Sequence, residues 1–273
     1  MKKIIWITSY PKSGNTYIRA FLTHYLFSKN SNLDFNLLKK IPKFEKKETF
    51  AKVLDEKLLD DNLNFIEHSL FVQKKLINKF DQKNLIFKTH HFFGELNNHI
   101  FTDASTTLLF IYMVRDPREV LVSYASHNNI SINELLDHFI SNNILYKIKT
   151  ETIINWGLHY RSWKSFKSVP SLILKYEDLI QEPRNSFIKL ITFLSNYIDI
   201  QIDNEVIEKT IEIIRFDKLK KLEKESGFHE APKNNIFFRS GKIDSWKEIL
   251  TKVQIKKVED AFHTNMKELG YIK

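Results

Sequence analysis

The run Ile4-Ile5-Trp6-Ile7, leading through Thr8-Ser9 into Tyr10-Pro11-Lys12-Ser13-Gly14-Asn15, constrains this chain more than any other stretch. Four apolar residues, three of them β-branched, make a short buried strand that feeds directly into a Pro/Lys/Ser/Gly turn. Beyond the turn, Thr16 to Leu26 carries apolar residues at helical spacing. A helix that begins there leaves its first backbone N–H groups without intrahelical acceptors. Its dipole adds partial positive charge at the same end, and Lys12 adds a full charge. Strand, loop and helix together form an anion site. The loop is not of the Walker form G-x-x-x-x-G-K-[ST], because Lys12 precedes Ser13 and Gly14 and no second glycine lies upstream.

The bulk composition narrows the setting. At 273 residues, 42% hydrophobic and 27% charged, the chain suits one domain, residues 1–273, with a proper core. The first apolar run is far too short to span a membrane, and Lys2-Lys3 before it do not make a signal peptide. Absence of cysteine excludes disulfides and thiolate metal sites, and a cytoplasmic protein is expected. The net charge of +9 favours anionic partners. The lysines are spread along the chain and no nucleic-acid-binding signature accompanies them, so a phosphate-bearing small ligand is favoured over nucleic acid.

Strands and helices alternate through the rest of the sequence. Residues 29–83 are polar, Lys-rich and helical in pattern, a helical insertion expected to pack beside the sheet and shape a ligand pocket. Leu85 to His90 reads as a strand on which Lys88 and His90 share a face while His91 points the other way. Phe92-Phe93-Gly94 follows as a wall of that pocket. Thr107 to Val114 is the strongest strand, apolar throughout and hence buried on both faces of a parallel sheet. It ends at Arg115-Asp116-Pro117, where Asp116 caps a helix that opens on Pro117. Ser123 lies two turns into that helix, so Arg115 and Ser123 can meet one anion. Helices are expected over Ser131–Asn143 and Glu151–Lys167, with Trp156, Tyr160 and Trp163 as core. A strand over Ser171–Tyr176 precedes helices over Asn185–Asn196 and Asn204–Ile214. Residues 226–242 break the helical pattern and carry Arg239, Ser240, Gly241 and Lys242, a loop whose cations and bare amides suit a phosphate. A last helix, Thr251 to Leu269, is expected to pack on the sheet. The fold class is therefore α/β, a mostly parallel sheet flanked by helices with a P-loop-like ligand site at its carboxyl edge.

Five of these segments, in order, resemble the sulfotransferases that use 3′-phosphoadenosine 5′-phosphosulfate (PAPS). Tyr10-Pro11-Lys12-Ser13-Gly14-Asn15-Thr16-Tyr17 is similar to the family's 5′-phosphosulfate loop, with Asn15 and Tyr17 in place of its usual Thr and Trp. Lys88-Thr89-His90 matches the position of the general base. Arg115 with Ser123 resembles the 3′-phosphate motif. Tyr176-Glu177-Asp178-Leu179 and Phe216 resemble the adenine-contacting segments. Arg239-Ser240-Gly241 resembles the loop before a Trp, here Trp246, with Ser240 where the family has lysine and Lys242 as a candidate substitute.

The resemblance implies in-line transfer of a sulfuryl group from PAPS to a hydroxyl or amine of a small molecule, leaving adenosine 3′,5′-bisphosphate. His90 would be the base, and Lys12 and Lys88 the cations at the transferring group. The loop Ser13, Gly14, Asn15 and Thr16 would cradle the 5′-phosphate, with Arg115, Ser123, Arg239, Ser240 and Gly241 on the 3′-phosphate. Tyr17, Tyr176 and Phe216 would surround the adenine. No metal is called for. In the family a C-terminal segment makes a small dimer contact. Here Lys247, Thr251, Lys252 and Lys256 stand at that spacing, with lysines replacing its Val and Glu, so a monomer or weak homodimer is expected. Two other readings compete. A P-loop kinase for a small molecule or nucleoside lacks its glycine-before-lysine loop and its Walker B acid. A non-catalytic nucleotide- or nucleic-acid-binding protein explains the charge but leaves Lys88-Thr89-His90 without a task.

Overall fold

The computed structural model describes residues 2–28, 32–59, 64–141, 146–148, 151–231, 236–239 and 241–273. Four parallel strands form the central sheet: β1 (Lys3–Ser9), β2 (Asn84–Thr89), β3 (Thr107–Val114) and β4 (Ser171–Lys175), side by side in the order β2-β1-β3-β4. Side chains alternate along each strand between two cores. Ile4, Trp6, Phe110 and Tyr112 enter one, with Phe44, Phe101 and Trp163; Ile5, Ile7, Ile111 and Met113 enter the other, with Phe21 and Phe187. Both faces are covered, which is why these strands read as unbroken apolar runs.

One face carries α1 (Asn15–Phe27), whose Phe21 stacks on Phe187 of α7 (Pro183–Ser195) with ring centroids 3.7 Å apart. The other is covered by α2 (Phe65–Lys79), α3 (Pro117–Asn128), α4 (Ile132–Ile140) and α5 (Trp156–Ser165). Between β4 and α7 runs the short α6 (Tyr176–Gln181), and α8 (Asn204–Ile213) and α9 (Phe216–Ser226) precede the terminal α10 (Lys252–Glu268). Among the described residues no helix is long and apolar enough to cross a membrane.

Three expectations need correcting. The helix expected over Glu151–Lys167 begins only at Trp156, because Asn155 caps it by accepting the Leu158 N–H at 2.8 Å. Glu151–Ile153 instead pairs antiparallel with Tyr146–Ile148. Likewise Ser131 caps α4, which ends at Ile140, and residues 142–145 lie outside those described. The terminal helix packs on α3, α4 and α5 rather than on the sheet, since those helices already cover that face. Its Thr251 hydroxyl is spent in a capping box with Gln254.

Among its described residues the insertion holds one long helix, α2, besides short helical turns such as Phe35–Lys40 and Lys47–Phe50; residues 29–31 and 60–63 lie outside the description. Its segment 42–44 runs beside the end of β2: the Phe44 N–H donates to the Lys88 carbonyl and the Lys88 N–H to the Pro42 carbonyl, each at 2.9 Å. That pairing delivers Lys43 and Lys46 to the carboxyl edge of the sheet, where all four strands discharge their polar residues.

Trp6 sits at the centre of this arrangement. It is fully buried, its ring lies 5.2 Å from both Phe44 and Phe101, and its Nε1–H donates to Thr107 Oγ1 at 3.1 Å. Trp6→Ala is expected to cost about 3–5 kcal/mol, read as a lowered urea midpoint at unchanged slope. A midpoint equal to that of the parent would contradict this account of the core.

Candidate active site

At the carboxyl edge a cleft of about 400 Å³ opens between the β1–α1 loop, the ends of β2, β3 and β4, and the segment after α9. The β1–α1 loop is held in a conformation few sequences tolerate. Lys12 has φ of 66° and Gly14, at the helix N-cap, φ of 96°; the Tyr17 N–H makes the first turn's bond to the Gly14 carbonyl at 3.0 Å. No side chain caps α1, so the N-terminal amides stay available to a ligand. Gly14 is required by contact as well as by φ, because a Cβ there would stand 2.4 Å from the Tyr176 ring. Asn15 fastens the loop from beneath, its Nδ2 donating to the Ile7 carbonyl at 3.1 Å.

Each strand end contributes. From β2 come Lys88 and His90, both lining the cleft; from β3 comes Arg115, and from the end of β4 comes Tyr176. Arg115 works as a bracket. Its guanidinium stacks 4.2 Å over the Tyr176 ring, while its two terminal nitrogens donate to the carbonyls of Lys12 and Lys242, each at 3.2 Å. Its nearest acid is Glu119, 3.7 Å away, rather than Asp116, which Arg118 engages. Arg115 Nε is buried and makes no hydrogen bond among the described residues.

The segment beyond α9 is tied down by carboxylates. Glu223 accepts the N–H groups of Phe237 and Phe238 at 2.6 and 2.9 Å. Glu119 accepts from the Ser245 hydroxyl and, at 3.2 Å, from the Trp246 N–H. Arg239 and Gly241 thereby reach the cleft, with the Phe216 ring packed so closely on Gly241 that an added Cβ would stand 2.5 Å from it.

Of the residues singled out in the sequence, Lys12, Gly14, Asn15, Thr16, Tyr17, Lys88, His90, Arg115, Ser123, Tyr176, Phe216, Arg239 and Gly241 all line this one cleft. Ser13 does not; it is buried under the loop, its hydroxyl without a hydrogen-bond partner among the described residues. Ser240 lies outside the described residues, and Lys242 is exposed and not among the lining residues, though its carbonyl accepts from Arg115. The Phe92-Phe93-Gly94 turn is no wall of the cleft as described. The ring of His91 stacks on both Phe92 and Phe101, with centroids 4.6 and 4.7 Å away, and Phe93 stacks on Phe166 at 4.1 Å.

The electrostatics are one-sided. Among the described residues six cationic side chains, Lys12, Lys43, Lys46, Lys88, Arg115 and Arg239, line the cleft against one carboxylate, Glu230. Lys12 has no carboxylate within ion-pair distance among the described residues; its ammonium lies 4.0 Å over the Phe237 ring and 3.2 Å from His127 Nδ1. Burial, then the nearby Arg115 and Lys88 charges, lower its pKa to about 7. Lys88 is lowered to about 8, chiefly by burial, although Glu230 opposes the shift. Two lysines this short of their ordinary value want an anion between them.

His90 is held in a defined tautomer. Its Nδ1 lies 2.9 Å from the Ser9 carbonyl, an acceptor only, so Nδ1 carries the proton and Nε2 the basic lone pair. Behind it, His159 Nε2 donates to the His90 carbonyl at 3.0 Å and its Nδ1 accepts from Tyr112 Oη at 2.8 Å. Burial lowers the pKa of His159 to about 3 and that of His91 to about 4, so both rings stay neutral supports. Among the described residues no three His, Asp or Glu side chains converge as metal ligands would.

Sequence reasoning missed Arg19, Glu230, His127 and His159. Arg19 carries a signal in hindsight, as the one charge within the apolar helical run Ile18 to Leu22. Competitive acetylation, which reads the neutral amine, is expected to give Lys12 a midpoint near pH 7 and Lys88 one near pH 8. Midpoints above pH 10 would contradict the charge crowding described here.

A family model described as Sulfotransferase domain matches residues 2–270. The flavonol 3-sulfotransferase of Flaveria bidentis is 25% identical over 289 residues, covering 98% of this chain and 83% of the relative. Cytosolic sulfotransferase 17 of Arabidopsis thaliana is 22% identical over 98% of this chain and 75% of its own. Among solved structures, retinol dehydratase in complex with androsterone and the inactive cofactor PAP superposes with a TM-score of 0.64 at 18% identity, over 97% of this chain and 80% of that one.

Proposed function

The chain belongs to the sulfotransferase domain family, and from that premise we propose that it moves a sulfuryl group from PAPS to the hydroxyl or amine of a small-molecule acceptor, with His90 as general base. The observation that carries the reading is the meeting of Lys12, Lys88 and the Nε2 side of His90 in one cleft, flanked by Arg115, Arg239 and three aromatic rings. The flavonol 3-sulfotransferase of Flaveria bidentis is named for a small-molecule acceptor, which supports this substrate class.

The donor carries a phosphosulfate and a 3′-phosphate, and the cleft offers two matching groups of cations. Lys12 and the open amides of the β1–α1 loop suit the 5′ end. Arg115, together with Ser123, Arg239 and Gly241, suits the 3′-phosphate. Tyr17, Tyr176 and Phe216 border the space left for the base. The strand end where a phosphate-transferring P-loop enzyme keeps its metal-holding acid carries Arg115 instead, a group that binds phosphate oxygens directly.

In the reaction, the acceptor oxygen or nitrogen forms a bond to sulfur as the sulfur–oxygen bond to the 5′-phosphate breaks. His90 Nε2 takes the acceptor's proton. Lys12 stabilises the charge that collects on the departing phosphate oxygen, and Lys88 the charge on the sulfuryl oxygens. Positioning and fixed charge do most of the work, as in phosphoryl transfer. The Ser9 carbonyl keeps the His90 ring aimed with its Nδ1 protonated, and His159 anchors the His90 backbone carbonyl.

His90→Ala is expected to lower turnover at least about a hundredfold while leaving affinity for adenosine 3′,5′-bisphosphate within about twofold. Turnover at the parent's rate would remove His90 from the role of base.

A further inference from the structure

At the cleft Lys88 belongs to an ion triad whose other two members, Arg19 and Glu230, the transfer chemistry has not used. Arg19, on α1, is 1% exposed and has every nitrogen committed. Its Nε donates to the Ile41 carbonyl at 3.0 Å, Nη2 to the Leu38 carbonyl at 3.1 Å, and Nη1 to both Glu230 oxygens at 2.9 and 3.2 Å. Glu230 Oε2 also accepts from Lys88 Nζ at 2.9 Å. The three charges come from α1, the end of β2 and the turn after α9, and they are far apart in sequence.

We propose that Glu230 is a positioning residue for sulfuryl transfer: clamped by Arg19, its carboxylate holds the Lys88 ammonium in place beside His90. This inference rests on the transfer reading above. A purely structural pair would be complete with Arg19 and Glu230 alone, whose charges cancel. The third member leaves the triad with a net positive charge, and that excess belongs to Lys88, which lines the cleft two residues before the proposed base. An anionic group arriving between Lys12 and Lys88 supplies the missing countercharge.

The groups around Lys88 show why it needs the clamp. Lys12 and Arg19 approach from the β1–α1 side, Lys43 and Lys46 from the segment beside β2, and His229 from the turn that carries Glu230. His90 follows on its own strand, and the acid Glu45 is engaged by Thr89. Glu230 is thus the carboxylate in direct contact with Lys88 among these. Burial would raise the Glu230 carboxyl, but Lys88 and Arg19 together hold it well below the usual carboxylate range, so it stays charged wherever the protein is folded near neutrality. With Glu230 neutral, Lys88 would face burial and cations alone and lose its proton at lower pH.

Glu230→Gln keeps the shape and removes the charge; Glu230→Asp keeps the charge at shorter reach and serves if the amide variant folds poorly. Two readouts are paired. Competitive acetylation of Lys88, which needs no substrate, is expected to shift its midpoint down by at least about one pH unit in Glu230→Gln and by less in Glu230→Asp. The pH profile of kcat/KM for PAPS, which reports the free enzyme, is expected to fall about fivefold or more relative to the parent at pH 8 and to converge with it near pH 6. Affinity for adenosine 3′,5′-bisphosphate, which lacks the sulfuryl group, stays within about threefold. An unmoved Lys88 midpoint overturns the proposal. So does a loss of kcat/KM that is uniform in pH and accompanied by weakened bisphosphate binding, which marks a folding latch only. A parent protein that bound no bisphosphate would strike the transfer reading, while the Lys88 midpoint would still decide whether Glu230 sets that charge.

Discussion

Mutual repulsion of cations at the carboxyl edge of the sheet is the constraint to which the rest of the structure answers. Four parallel strands end side by side, and three of them, with the loop that follows, bring Lys12, Lys88 and Arg115 into one partly buried cleft. Charges gathered this way in a medium less polar than water repel by a few kcal/mol per close pair. The protein spreads that cost through fixed partners: Glu230 on Lys88, Glu119 near Arg115, and aromatic faces under Lys12 and Arg115. What remains uncompensated is a set of cations shaped for an anion. Burial first, and then this crowding of charge, lower the pKa values of Lys12 and Lys88.

The scaffold explains why the cations cannot relax away. Arg115 grips two backbone carbonyls, Gly14 and Gly241 lie flush against aromatic rings, and Glu223 and Glu119 hold the closing segment by its amides. These are bonds to backbone or contacts without slack, so the site is set before any ligand arrives. That is the arrangement electrostatic catalysis requires, because dipoles and charges already in place need not reorganise during reaction.

Much of this was legible in the sequence for definite physical reasons. Unbroken apolar runs ending in polar clusters mark parallel strands, and each cluster lands on the carboxyl edge. Asp116 before Pro117 fixes the start of a helix, and that start aims Ser123 into the cleft beside Arg115. The failures are equally physical. The helical spacing of Trp156, Tyr160 and Trp163 says nothing of where the helix begins, and Asn155 starts it by capping the Leu158 N–H. Phe92 and Phe93 read as pocket wall because sequence cannot say that His91 turns inward and carries its neighbours into the core. The partnership of Arg19, Lys88 and Glu230 joins parts of the chain that only the fold brings together.

The central claim is that this cation set is built for an adenosine ligand bearing both a 5′-phosphate and a 3′-phosphate. Calorimetric titration with adenosine 3′,5′-bisphosphate, run beside ADP and ATP with and without magnesium, tests it most directly. The account predicts tight, magnesium-independent binding of the bisphosphate, far weaker binding of ADP and ATP, and loss of the preference in Arg115→Ala. Binding of ATP only in the presence of magnesium, with no affinity for the bisphosphate, would contradict it.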